Sequence, residues 1–273
     1  MKTNRSKTTI VALISAAALA YTAPAFLSGG EDRTSGTNLF SSAALHAETS
    51  KKADVHYFRG NAVDLNTGKF LYSENHAEFR SNGKHTHSIV TYRDANGKTF
   101  ARKRISFTKN TTQPDFRMED FRDGYVEGAT LLGNSRFQFF KRSDESAELQ
   151  KEIVKMASPG VIDGGFDYFV RENFPALAAG QAKSVNFGVS ARFTYFTFVI
   201  SKVSDLKRQG RDAVRFKLAP KNFVLRQLID PLYITYDRET RRLLEYSGYT
   251  NIDDGTDSGR NFEARIVFNY PKK

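Results

Sequence analysis

Two Asn-Gly pairs, Asn82-Gly83 and Asn96-Gly97, each lie between extended runs, and they restrict the fold more than any other feature of this chain. A tight two-residue hairpin turn needs positive φ at both central positions, which Asn and Gly tolerate and most residues do not. With Asn66-Thr67-Gly68 ahead of them, the pairs make 54–64, 69–79, 85–94 and 99–108 consecutive strands of an antiparallel meander. Reading both pairs as two-residue turns sets a register, with Arg80 opposite His85, Glu78 opposite His87 and Arg93 opposite Phe100. His85, His87, Arg102 and Arg104 then share a polar face, while Ile105 and Phe107 point the other way, onto a core.

The pattern continues, with further strands expected at 116–130, 135–142, 148–156, 183–190, 192–204, 211–219, 231–237, 242–252 and 261–270. The 23 Phe and 12 Tyr, with no Trp, suit pleated, half-buried surfaces. Segment 193–200 is apolar at both parities: Phe193, Tyr195 and Val199 on one, Phe196, Phe198 and Ile200 on the other. Such a strand is expected to be covered on both faces. The expected cover is 166–179, where Phe166, Phe169, Val170 and Phe174 recur at helical spacing, Pro175 forces a break near Asn173, and Gly180 suits the position after a helix end. A second short helix is expected over 221–229, with Val224, Leu225, Leu228 and Ile229 on one stripe. The expected fold is therefore mainly β. A long antiparallel meander forms an open half-barrel, with one mid-chain helix and short helical segments on its concave face, as one domain over 54–273.

Ahead of this domain, Lys2, Arg5 and Lys7 precede an apolar stretch from Ile10 to Ala20, followed by Ala18-Leu19-Ala20 and Ala23-Pro24-Ala25. This is the pattern of a secretory signal peptide over 1–25, with Ala47 as a later cutting point. The stretch falls short of a spanning helix, so a membrane-anchored N-terminus is the lesser alternative to a periplasmic mature protein. Residues 26–53 are rich in Gly, Ser, Thr and Ala and read as a disordered linker. The chain has no cysteine, which excludes disulfides, thiol catalysis, thiolate metal sites and a lipid-modified N-terminal Cys. The formal net charge of +11 is spread along the chain without a basic run or recognition helix, which argues against nucleic acid and leaves anionic lipid surfaces as a partner.

Candidate chemistry is sparse. Of the five histidines (His46, His56, His76, His85 and His87), His85 and His87 with Glu78 are the one arrangement suited to zinc, and no later His closes the site. Asp253-Asp254-Gly255-Thr256-Asp257 resembles a calcium loop but lacks the closing Glu, and it reads as a turn. Asp115, Glu119, Asp120, Asp123 and Glu127 alternate with Arg117 and Arg122, as on a charged hairpin face. No nucleophile elbow, Walker loop or dinucleotide fingerprint is present, so no catalytic residue and no cofactor is assigned. What remains is an apolar surplus: Phe169, Phe174, Phe193, Tyr195, Phe196, Phe198, Leu225 and Leu228. These residues are the candidate lining of a cavity for a lipid or another apolar ligand. The alternative is a filled core in a structural or interaction module of the cell envelope, with a basic surface facing membrane or partner.

The signal peptide, the meander, the mid-chain helix and the Phe-rich strand together resemble the periplasmic open-barrel proteins related to the lipoprotein carriers LolA and LolB. Phe166–Gly180 with strand 183–190, and Phe223–Tyr246, resemble uncharacterised families of exported Gram-negative proteins thought to share that fold. The resemblance implies an exported half-barrel that handles lipid or lipoprotein. The missing lipobox Cys makes anchoring of the LolB kind impossible.

Overall fold

Asn82 and Gly83 both take positive φ, 51° and 73°, and close the hairpin that their sequence predicts. Around that hairpin, a computed structural model of the protein describes residues 54–256 and 259–271. The expected signal peptide and linker, the cuts after Ala25 and Ala47, and His46 lie outside these residues. The strands before the helices are β1 (Asp54–Asp64), β2 (Phe70–Ser81), β3 (Lys84–Arg93), β4 (Thr99–Ser106), β5 (Asp115–Asp120), β6 (Val126–Gly133), β7 (Arg136–Arg142), β8 (Gln150–Lys155) and β9 (Gly160–Ile162). Two helical turns follow, α1 (Gly165–Glu172) and α2 (Phe174–Ala178). Then come β10 (Lys183–Val189), β11 (Thr194–Arg208), β12 (Arg211–Pro220), the short helix α3 (Phe223–Leu228), β13 (Leu232–Asp237), β14 (Leu243–Asp253) and β15 (Asn261–Asn269).

All fifteen strands belong to one unclosed sheet, in the order β8-β7-β6-β5-β4-β3-β2-β1-β15-β14-β13-β12-β11-β10-β9. Every connection between consecutive strands is an antiparallel meander step except β8–β9 and β9–β10. The first strand pairs with the last, from Arg59↔Asn269 to Asp64↔Ala264. The two edge strands, β8 and β9, are consecutive in sequence yet lie at opposite ends of the sheet, and β9 runs parallel to β10. The sheet is thus a ring of hairpins broken once, in the middle of the chain.

Two cores form, and the β10–β11 end of the sheet lies between them, with Tyr195 towards the first and Ile200 towards the second. Tyr72, Tyr92, Met118, Phe137, Phe139 and Ile266 belong to the first, drawn from β2 to β7 and from β15. The second lies under α1 and α2, where Val170 and Leu177 meet Val185, Ile200, Val214 and Phe216. The expected break falls at Asn173, between α1 and α2, with Pro175 in the first turn of α2 where its missing N–H costs nothing. Gly180 has φ 92° and closes the helix end, with Gly180 N bonded to Leu177 O and Gln181 N to Ala176 O. Helix α1 straps the concave face from side to side. Tyr168 Oη lies 2.8 Å from His85 Nδ1 on β3, and Asp167 accepts a hydrogen bond from Tyr236 Oη on β13 at 3.0 Å.

Local chemistry overrode the simple register in three places. Arg80 does face His85, but Glu78 pairs with Ser88 rather than His87, because Thr86 forms a one-residue bulge in β3. The second Asn-Gly pair sits in a longer loop, since the Asp94 carboxylate accepts the amides of both Asn96 and Lys98 at 2.9 Å, and Arg93 consequently pairs with Thr99, not Phe100. The expected strand 116–130 is two strands, β5 and β6, divided at a turn where Gly124 has φ 83°. Strand β9 has no counterpart in the sequence reading.

Candidate ligand cleft

The only left-handed residue in the Phe-rich segment is Phe193, φ 51°, which ends the 3-10 turn Ser190–Arg192 and starts β11 one residue later. From there the side chains alternate. Tyr195 packs towards the first core, and Phe198 and Ile200 towards the second. The expected double cover is incomplete, because Thr194 to Val199 all remain partly exposed and Ile200 alone is fully buried. Beyond β12, Lys221 N donates to Thr197 O at 2.8 Å and pins the chain to β11. Asn222 then caps α3, its side chain accepting from Leu225 N at 3.1 Å. These two bonds lay α3 beside the start of β11 and leave an open cleft of about 380 Å3, lined by Tyr195, Phe196, Thr197, Lys221, Asn222 and Leu225. On the same short helix Phe223 and Val224 are 70% and 64% exposed.

The expected cavity residues therefore separate. Tyr195, Phe196 and Leu225 come together in the cleft. Phe169 and Phe174 are buried beneath the helices, with the Phe174 ring 5.7 Å from Phe216 and 6.4 Å from Tyr236, edge-on to both. Phe193 packs on the first core, Phe198 on the second, and Leu228 is half-buried on α3 outside the cleft lining. The polar members Thr197, Lys221 and Asn222 were missed from sequence. Asn222, directly before the apolar stripe of α3, was the available signal.

The bulge at Thr86 also undoes the metal candidate. His85 turns inward, where its ring lies 4.5 Å from Phe107, and its Nε2 is 2.8 Å from Ser88 Oγ and 3.0 Å from His87 O. Burial pushes its imidazole below the usual range, against the pull of Glu78. His87 keeps the outward parity of Ile89 and Thr91, and Glu78 is 3.5 Å from Arg80. Among the described residues no group of three or more His, Cys, Asp and Glu is placed to hold a metal ion. In the acidic loop, Asp253 is bridged by Arg122 at 2.7 Å and Asp254 accepts from Thr256; Asp257 lies outside the described residues.

The 115–127 carboxylates are only partly the charged face that their spacing predicts. Glu119 fits it, between Arg104 at 2.6 Å and Arg117 at 3.0 Å. Asp115, Asp120 and Glu127 are buried instead. Asp115 accepts from Leu131 N and pairs with Lys109, and Asp120 holds the amide of Arg122. Glu127 faces the concave side and accepts a hydrogen bond from Ser190 Oγ at 2.7 Å. Lys103, which shares its face of β4 with the buried Ala101 and Ile105, is buried nearby and pairs with Asp163 at 2.7 Å.

Fold and cleft together define a mainly β protein built on one unclosed antiparallel sheet, with a small surface site of mixed apolar and basic character. No family model matches the sequence, and no curated protein matches it. Two solved structures are similar in arrangement. One is a β-barrel-like protein of a domain of unknown function, DUF1849, from Brucella abortus, at 6% identity and TM-score 0.46, covering 81% of this chain and 98% of that one. The other is a DUF1329 family protein from Desulfovibrio piger, at 12% identity and TM-score 0.29, covering 83% of this chain and 88% of that one. These likenesses are too distant to carry a function across.

Proposed function

We propose that this is an exported, non-enzymatic binder of a lipid or another apolar ligand, and that it holds the ligand in the cleft between β11 and α3. The observation that carries the reading is the composition of that cleft. Tyr195, Phe196 and Leu225 supply an apolar wall for an acyl chain, and Lys221 supplies a cation for an anionic head. The cleft is shallow and largely open, so a ligand held there stays partly exposed to solvent. Export rests on the basic and apolar run from Lys2 to Ala25, and a periplasmic location rests with it. The resemblance to the LolA and LolB carriers suits lipid handling, although here the space under α1 and α2 is packed, so the ligand sits at the surface rather than inside. Mature protein purified without detergent is expected to take up a fluorescent fatty acid saturably, and Phe196→Ala to weaken uptake by about tenfold, the value of roughly 1.4 kcal/mol of lost contact. Absence of uptake together with a lipid-free mass in native mass spectrometry overturns the reading.

A second reading is favoured by α3 itself. Phe223 and Val224 project between Lys221 and Arg226, a combination suited to the surface of an anionic membrane. An interaction module of this kind binds anionic vesicles without taking up acyl probes. Its binding weakens between about 0.1 M and about 1 M salt, as the screening length falls from roughly 10 Å to roughly 3 Å.

A further inference from the structure

The two ends of the sheet are finished differently. At one end, the outer edge of β9 is occupied by the loop after β4: Ile162 N donates to Thr112 O at 3.0 Å, and Gln113 Nε2 to Gly160 O at 3.1 Å. At the other end β8 bonds to β7 alone, and among the described residues nothing bonds to its outer edge. An open row of N–H and C=O groups is a template for another strand, which is why edges are usually covered or blunted with charge. The alternation of β8 shows which side chains frame this one. Glu152 and Val154 stand opposite Phe139 and Phe137 of the first core, so Lys151, Ile153 and Lys155 point outwards, with Leu149 just ahead of them. Ile153 is 62% exposed and Leu149 41%. On β7 the same face carries Arg136, Gln138, Phe140 and Arg142, and no acidic side chain stands on it in either strand. Among the described residues Arg136, Lys151 and Lys155 form no ion pair. Lysines blunt an edge, but a bare isoleucine between two of them does the opposite.

We propose that β8 is a docking edge for an extended acidic segment of a partner protein, which adds to the sheet as a further strand. The inference goes beyond ligand binding in the cleft and stands without it. Backbone hydrogen bonds supply the attachment, and the outward side chains set the choice of segment. Facing positions of opposite charge stabilise a strand pair, and like charges destabilise it. The residues opposite Lys151 and Lys155 are therefore acidic and the one opposite Ile153 apolar, so the segment reads acid-x-apolar-x-acid in either direction. The same rule disfavours a second copy of this chain. A two-fold antiparallel pair centred on Lys151 sets that lysine against itself, and one centred on Glu152 sets that glutamate against itself. Centring the pair on Ile153 sets Lys151 against Lys155. The unpaired backbone favours a strand over a lipid surface, which makes no ladder.

The test uses the mature chain and the peptide Thr-Glu-Thr-Val-Thr-Glu-Thr, with Thr-Lys-Thr-Val-Thr-Lys-Thr as its charge-reversed control. Affinity is read by fluorescence anisotropy of the labelled peptides at about 0.1 M salt, and the place of binding by amide hydrogen exchange. The acidic peptide is expected to bind at least about tenfold more tightly than the control. It is expected to slow exchange over 150–155 and not over 221–226. Lys151→Glu combined with Lys155→Glu is expected to invert the preference, and both lysines are exposed, so the fold tolerates the change. Equal affinity for the two peptides, binding that leaves 150–155 unchanged, or a preference that survives the double reversal overturns the proposal. So does slow exchange of every amide from 150 to 155 in the peptide-free chain, which would put a second copy or another segment of this chain on the edge. Anionic vesicles held through Lys151 and Lys155, with neither peptide bound, would assign the face to a membrane and overturn it too.

Discussion

The region beneath α1 and α2 and the region beside α3 are both apolar and both border β11, yet one is closed and the other open. Beneath the helices, Val170 and Leu177 are fully buried against Val185, Ile200, Val214 and Phe216. The helix pair is fixed at its far end by the glycine cap at Gly180, and Lys202 Nζ reaches from β11 to Ala178 O at 3.0 Å. Beside α3 the same strand meets a helix of six residues, none of them buried. A helix that short points apolar groups in several directions and can bury only some of them. Leu225 turns to the strand, and Phe223 and Val224 to solvent. An apolar surplus in the sequence therefore does not imply an internal cavity. Whether it packs or stays open depends on how long the covering helix is and where its ends are held.

The comparison can be broken most forcefully at Phe174. Truncating a ring that is 4% exposed and wedged against Phe216 and Tyr236 leaves a void, so Phe174→Ala is expected to cost about 3–5 kcal/mol in urea unfolding. Its folded fraction should nevertheless take up the acyl probe as wild type does. Loss of uptake in folded Phe174→Ala protein would place the ligand under the helices and reverse the comparison. The cleft variant Phe196→Ala sharpens the same point from the other side: about 1 kcal/mol of stability for a half-exposed ring, with the tenfold loss of uptake given above. The smallest effect on folding is expected at Phe223→Ser, within about 0.5 kcal/mol of wild type. Vesicle sedimentation then reads whether that exposed ring contributes to contact with anionic lipid, and unchanged sedimentation would remove α3 from the second reading.

Much of this architecture was legible, because turn chemistry is local. Asn82-Gly83, the break before Pro175 and the glycine stop at Gly180 all act within a few residues of themselves. Local chemistry also explains the slips: the Asp94 side chain captured two loop amides, and the Thr86 bulge set His85 and His87 apart. The buried charges were not legible. Glu127 read as part of a charged face because burying a charge is costly, Lys103 had no reading at all, and their partners Ser190 and Asp163 lie 63 and 60 residues away. Strand β9, at three residues, is too short to show a period. For the cleft, the apolar wall was visible as a composition. The Lys221 to Thr197 bond that gives it a shape belongs to the tertiary fold.

The position of the ligand itself is the most direct test. A fatty acid carrying a photoreactive diazirine on its chain, added to the mature protein, irradiated and mapped by peptide mass spectrometry, should label residues 195–197 and 221–225. Labelling concentrated in 169–177, on the buried faces of α1 and α2, would contradict the account and return the ligand to a cavity beneath the helices.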